Sequence, residues 1–450
     1  MPALVMSRDD SKEHTRRGRV ARRVPVGLPR LLDGYRPGVT MDLRAHLAHY
    51  GSPPWRGMTR RGPGPLVHTI EHSGLRGRGG AAFPTARKVR TVSDHGGWPV
   101  VVANGAEGEP ASQKDKLLLC ALPHLVLDGA ALLAEAVGAS EVIVAVERPA
   151  RAARMAVETA IRARAAAELD PVPFRLLAVP GRYVAGEATA LVNFVNTGVA
   201  KPTFVPPRVS ERGVGGRPTL VQNVETLAHV ALIARYGADW FRQLGTSDEP
   251  GSALLTVGGS VAHPGVLEVA FGTPLGSAVM AAGGPTSELS AVLVGGYYGT
   301  WLHAAAAWDL PLTDAALHEV GGALGCGLVY AFPAASCGLA ASAQIARYLA
   351  DESAGQCGPC LYGLAALADT LAHLARGVPD RHTLGRVEEL CDQVEGRGAC
   401  HYPDGVVGFV RSARTVFAAE ISRHRRDGGC RAAPPPSLLL PDATRERGWQ

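Results

Sequence analysis

Residues 99–110 read PVVVANGAEGEP. The valine run ending at Asn104 reads as a strand, because β-branched side chains favour extended backbone. The Asn-Gly pair then breaks it and leaves two carboxylates, Glu107 and Glu109, in a short loop at its carboxyl end. Outward from this stretch, EVIVAVE (141–147) and FRLLAVP (174–180) read as further strands. HLVLDGAALLAEAVG (124–138) and RAARMAVETAIRARAAAEL (151–169) read as helices between them. Strand–helix alternation at this spacing predicts an α/β layer with a parallel sheet. In such sheets ligands bind beyond the carboxyl ends of the strands. Taken alone, the loop with Glu107 and Glu109 reads more readily as a solvated turn.

The chain has 450 residues, room for two or three domains. An α/β domain is expected over 41–250, closed by the helical run VQNVETLAHVALIARYG. After GTSDEPG the texture changes to short β-like runs with Gly/Pro turns, which predicts a small β-grasp-like α+β domain over 251–335. A helical bundle is expected over 336–430, with Leu364, Leu367, Leu371 and Leu374 on one helix face. Cys391 falls on the apolar face of the next helix and reads as core. Residues 1–40 read as a disordered basic arm, and residues 431–450 as a disordered tail.

The formal charge of +5 is mild for this length and is concentrated in TRRGRVARRVP near the start. No basic face with base-reading aromatics accompanies it, so nucleic-acid binding is excluded. No apolar run is long enough to span a membrane. Arg22-Arg23 lacks the apolar segment of an export signal. Eight cysteines are too sparse for a disulfide scaffold, so a cytoplasmic protein with reduced thiols is expected.

Four segments carry candidate chemistry. In GLRGRGGAAFPTARK (74–88), clustered glycines with Arg78 suit either close structural turns or an anion cradle. NGAEGEPASQKDK (104–116) is the loop already described. GRYVAGEATALVNF (181–194) places Gly186-Glu187 between a strand and a helix, and RPTLVQNVET (217–226) places Gln222, Asn223 and Glu225 at a helix start. Asn223 and Thr226 are also plain capping candidates.

In this order and spacing, the segments resemble the FMN-carrying flavoprotein subunit of respiratory NADH dehydrogenase (complex I) and the matching subunits of NAD-linked hydrogenases and formate dehydrogenases. The family motifs GRGGAGFPTGxKW, NADEGEPGxxKD, YxxGEETAL and PTxxNNVET correspond to Gly77–Val89, Asn104–Asp115, Tyr183–Leu191 and Pro218–Thr226. The resemblance implies that FMN, not FAD, is held by Gly77, Arg78, Gly79, Lys88, Asn104, Glu107, Tyr183, Gly186, Glu187 and Asn223. It implies that Phe83 and Glu109 face NAD(H). It further implies a β-grasp-like (SLBB) domain and an iron–sulfur-binding helical bundle. The sequence departs from the family pattern at Ala106, Ala188, Val89 and Arg208, mostly on the nucleotide side, so flavin binding is a safer expectation than NADH oxidation.

DESAGQCGPC (351–360) corresponds to the family's ESCGxCxPCR loop, with Ala354 in place of its first cysteine. Cys357, Cys360 and the later Cys400 remain as ligands for a [4Fe–4S] cluster, which normally takes four thiolates. His401, Cys391 and Cys337 are conceivable fourth ligands. Zinc, a redox dithiol and a purely structural site are the alternatives. The function expected is an FMN-dependent oxidoreductase moving electrons between a nicotinamide nucleotide and an iron–sulfur cluster or a ferredoxin-type partner. A ferredoxin-coupled flavoprotein that does not use NADH, and a non-catalytic assembly paralogue, are the rival readings.

Overall fold

The computed structural model describes residues 27–54, 64–377, 382–428, 438, 440 and 448–450. The basic TRRGRVARRVP stretch lies outside these residues.

Four parallel strands form the first sheet: β1 (Val100–Gly105), β2 (Glu141–Glu147), β3 (Phe174–Val179) and β4 (Thr219–Asn223). Their order is β3-β2-β1-β4. Both faces are apolar, as an all-parallel sheet requires. Val101, Ala103, Val142 and Val144 join one core, and Val100, Val102, Ile143 and Ala145 join another. The chain reverses its direction across the sheet between β1 and β4, which opens a crevice at their carboxyl ends. There Asn104 and Asn223 are registered partners on neighbouring strands. The sequence pattern merges β4 into the helix that follows. Five residues, Thr219–Asn223, are in fact strand, and Asn223 then caps the helix Val224–Tyr236 by accepting from the Glu225 backbone N–H.

The second sheet is mixed and five-stranded. It comprises β5 (Ser252–Gly259), β6 (Gly265–Ala270), β7 (Leu289–Val294), β8 (Thr300–His303) and β9 (Leu328–Pro333), in the order β6-β5-β9-β7-β8. The two-residue period of a strand divides its faces. Val292, Val294, Val329 and Ala331 pack with Val279 of the helix Leu275–Ala281. Ala291, Leu293, Leu328, Tyr330 and Phe332 face the C-terminal helices instead. Those helices are Gly338–Asp351, Leu364–Ala375, Thr383–Val394, Tyr402–Val416 and Ala418–Asp427.

Two stretches expected to be disordered contain packed residues. Arg30 is buried: its guanidinium lies 4.1 Å over the Trp240 ring and donates to the Trp240 carbonyl at 2.7 Å. The Arg30 and Leu32 backbone N–H groups both donate to Glu268. Trp449 lies over Arg182 at 4.5 Å and near Lys201 at 5.3 Å, and its carbonyl accepts from the Ala200 N–H. Cation–aromatic pairing anchors both segments, which composition alone did not reveal.

Among the described residues no single helix is long and apolar enough to cross a membrane. One sharply bent pair, Lys114–Ala121 and Pro123–Val137, passes by composition, and its second helix is buried in the core of the α/β domain.

Candidate functional site

A cleft of about 500 Å³ opens over the carboxyl ends of β1 and β4. It gathers Gly77, Arg78, Gly79, Phe83, Lys88, Asn104, Glu107, Glu109, Tyr183, Gly186, Glu187 and Asn223, every flavin and nucleotide residue expected from sequence. It also reaches Cys400.

Glycines let the loops close around this space. A Cβ on Gly108 would lie 2.1 Å from the Tyr183 carbonyl oxygen, and one on Gly186 would lie 2.4 Å from that of Ala106. The two loops therefore touch backbone to backbone, and a hydrogen bond from Asn104 Nδ2 to the Gly186 carbonyl at 2.8 Å ties them further.

A buried charge network forms the floor. Lys114 Nζ sits 2.7 Å from Asp115 and 2.9 Å from Glu225, and these carboxylates push its pKa upward against the cost of burial. Asn223 Nδ2 donates to Asp115 at 2.6 Å. Glu107 folds back onto the start of the helix Lys114–Ala121, accepting from Ser112 Oγ and the Asp115 N–H. Burial pushes its pKa up. Lys88 donates to the Val221 carbonyl at 2.5 Å; burial lowers its pKa to about 8, opposed by the charge of Glu187. Glu187 also caps the helix Ala188–Thr197, accepting from the Thr189 and Ala190 N–H groups. On the opposite wall, Glu109 accepts from Tyr183 Oη at 2.9 Å and from the Tyr297 N–H at 2.7 Å. Burial raises its pKa to about 7.

Three side chains have partners or places that their motifs did not indicate. The Arg78 charge does not stand free for a phosphate: Nε and Nη2 donate to the Ser252 carbonyl, Nη1 donates to the Arg76 carbonyl, and the guanidinium lies 4.6 Å over Phe271. It braces the junction between the two sheets. Val89 is buried in the core, so its difference from the family tryptophan does not touch the cleft. Arg208 is exposed and does not line the cleft. Ala106 and Ala188 do line it. Lys114, Asp115, Gln222, Thr226, Tyr298, Cys326 and Tyr402 are cleft residues that the motifs did not single out as ligands. The charged QKDK run and Gln222, beside Asn223, were the available signals.

The residues present suit FMN. Gln222 Nε2 is a buried donor with no partner. It lines the cleft beside the two asparagines, where a ring or ribityl acceptor would satisfy it. Gly77 and Gly79 leave the backbone bare along one wall.

The cleft extends into the cysteine region through an aromatic web. Tyr183 packs against Tyr298 (5.4 Å between ring centroids), Tyr402 (5.6 Å) and Tyr348 (6.2 Å). Ala354, Cys360 and Tyr402 share one buried core, and Cys357 and Cys400 pack against it. The Cys360 thiol contacts Cys357, and burial followed by these neighbouring thiols pushes its pKa up to about 12. This is a grouping that an iron–sulfur cluster can use, because the resting thiols surrender their protons only on binding iron.

Three family models match in chain order: the Nuo51 FMN-binding domain over 70–232, the SLBB domain over 254–296, and the NADH-ubiquinone oxidoreductase-F iron–sulfur binding region over 340–424. The NADH-quinone oxidoreductase F-subunit of Streptomyces coelicolor is 30% identical over 418 residues, covering 90% of this chain and 92% of that protein. The F-subunit of the Salmonella typhimurium enzyme is 31% identical, covering 87% and 91%. Among solved structures, an NAD+-reducing [NiFe]-hydrogenase in the air-oxidized state superposes with a TM-score of 0.75 at 31% identity. That match covers 86% of this chain and 65% of the hydrogenase chain, so this chain spans somewhat less than two thirds of it. With the FMN-binding, SLBB and iron–sulfur regions in sequence, the chain belongs to the family of NADH-quinone oxidoreductase F-subunits, which are FMN-dependent oxidoreductases.

Proposed function

We propose that this chain transfers electrons between a nicotinamide nucleotide and an iron–sulfur partner, as a cytoplasmic subunit of a larger assembly. One observation carries the reading: a single cleft joins the paired asparagines at the sheet's carboxyl edge to Cys400 and the tyrosines beside the cysteine loop. FMN, when bound, supplies acceptance of an electron pair and release of single electrons. Gly77, Gly79, Gly186 and Glu187 shape its seat, and Lys88 gives positive charge. Asn104, Gln222 and Asn223 offer amides that donate and accept. Glu107 supports the seat indirectly by holding the start of the helix Lys114–Ala121, and Arg78 by bracing it against β5. Phe83, 44% exposed, and Glu109 form the wall against which the nucleotide stacks. The Tyr183–Tyr298–Tyr402 contacts exclude water between that wall and the cysteines.

Ala106 and Ala188 remove two carboxylates that the family motifs place on this wall, so NADH should bind more weakly than in family members that keep them. Reconstitution with excess FMN, followed by stopped-flow reduction with NADH and NADPH, tests both parts. Absence of bound flavin absorbance defeats the seat. Fast, tight NADH reduction defeats the weakened nucleotide wall and leaves the seat standing.

A further inference from the structure

The cysteine loop has three thiols where a cubane cluster takes four, and the structure decides where a fourth donor would have to come from. The loop leaves the helix Gly338–Asp351 and turns at Gly355, which has a positive φ of 62°. It then enters a single π-helical turn, Pro359–Gly363, at whose start the Leu361 N–H donates to the Cys357 carbonyl at 2.9 Å. Cys400 approaches from the start of the helix Tyr402–Val416.

Among the described residues, the candidates for the fourth corner have other partners, Cys326 included, whose thiol donates to the Gly295 carbonyl at 3.3 Å. Cys337 lies at the far end of the helix Gly338–Asp351, within 3.5 Å of Glu420 and 3.4 Å of His424. Cys391 is buried between neighbouring helices, with Arg411, Asp392 and Glu395 as its charged surroundings. The His401 side chain is fully exposed and turned toward Asp404. Tyr402 Oη donates to the Leu349 carbonyl at 2.7 Å. Ser353 Oγ is turned to the Cys360 carbonyl. Glu352 holds the Tyr183 N–H at 2.8 Å and the Arg182 guanidinium.

The corner itself belongs to Ala354, which is 6% exposed and part of the apolar core. A hydroxide on iron at that corner would be a buried charge among apolar groups, and such charges are expensive. Among the described residues no further thiolate is placed at the Ala354 corner, and its burial disfavours a solvent ligand there.

We propose that the iron–sulfur site of this chain holds a three-iron [3Fe–4S] cluster on Cys357, Cys360 and Cys400, with the corner at Ala354 carrying no iron. The proposal rests on the reading of this region as an iron–sulfur site. It changes that site's redox character, because the cluster has one thiolate and one iron fewer than a cubane.

The test uses the full chain, reconstituted anaerobically with FMN, iron and sulfide, as wild type, Ala354→Cys and Cys400→Ser. Iron, acid-labile sulfide, bound flavin and EPR are measured on the same samples. Wild type should hold less iron than sulfide and show an EPR signal in the oxidised state. Ala354→Cys should bring iron level with sulfide and shift the signal to the reduced state. Cys400→Ser should lose most of the cluster and keep its flavin. Wild type with equal iron and sulfide that is EPR-silent when oxidised overturns the proposal, as does wild type with flavin but no cluster. Flavin absorbance separates these outcomes from failure of the FMN seat, and it also reports that each variant has folded.

Discussion

The two ends of the cleft are built on different scaffolds. At the flavin end, Asn104 and Asn223 sit side by side because β1 and β4 are hydrogen-bonded in one fixed register. The loops above them touch backbone to backbone. At the cysteine end, the thiols come from a loop closed by its own turns and from the start of a separate helix. The flavin end keeps the expected glycines, lysine and asparagines but has alanine at 106 and 188, whereas the cysteine end has exchanged a thiolate for an alanine. Strand register couples each residue to its neighbours, so substitutions there distort the site. A loop corner filled by a small apolar side chain can lose a ligand and still pack.

The sharpest way to break this comparison is a pair of glycine substitutions. Gly108→Ala drives a methyl group into the Tyr183 carbonyl and should cost roughly 3 kcal/mol, with loss of bound flavin. Gly358→Ala meets nothing within 4 Å and should stay within about 0.5 kcal/mol. Urea midpoints measure both, and equal effects would end the distinction.

The next effect in size is a pH dependence at the flavin end. Glu109 titrates near 7 in the folded chain, against an ordinary value of 4.5. The folded state therefore binds the extra proton between those values, and stability falls as pH rises from about 4.5 to 7. The loss amounts to roughly 3 kcal/mol at most. Glu109→Gln should flatten that part of the profile in urea titrations of the flavin-free chain. An unchanged slope would mean that Glu109 is ionised throughout.

Arg78→Ala should cost about 1.5–3 kcal/mol by freeing the Ser252 and Arg76 carbonyls. The loss should appear with or without flavin, since the side chain braces the junction between the sheets. A loss confined to the flavin-loaded protein would restore the phosphate role. The smallest change is expected from Trp449→Ala, about 1 kcal/mol for its stacking on Arg182 and Lys201. Differential scanning calorimetry should resolve it, and an unaltered transition would show that this contact is not stabilising.

The strand–helix alternation was legible because apolar periodicity is local, and PVVVAN, EVIVAVE and FRLLAVP all lie within strands or one residue of them. The cleft residues were legible through motif order. β4 was not, because its five residues run directly into a helix and the apolar pattern does not break between them. Gln222 escaped selection because an amide declares its role only when its partner is seen to be missing. Arg30 and Trp449 escaped because each is held by a cation–aromatic pair whose partners are far away in sequence.

By itself the sequence determined the order of the three regions, the parallel α/β layer, the glycine-rich loops around the cleft and the loss of one cluster cysteine at Ala354. These depend on residue type and spacing, which are local properties. Tertiary structure alone decided where charge is spent. Arg78 turns toward the Ser252 carbonyl, Lys114 is enclosed by two carboxylates, Cys337 lies against Glu420 and His424, and His401 lies against Asp404. A buried charge or thiol takes whichever partner the packing of distant elements brings within hydrogen-bond reach, and no spacing along the chain encodes that choice.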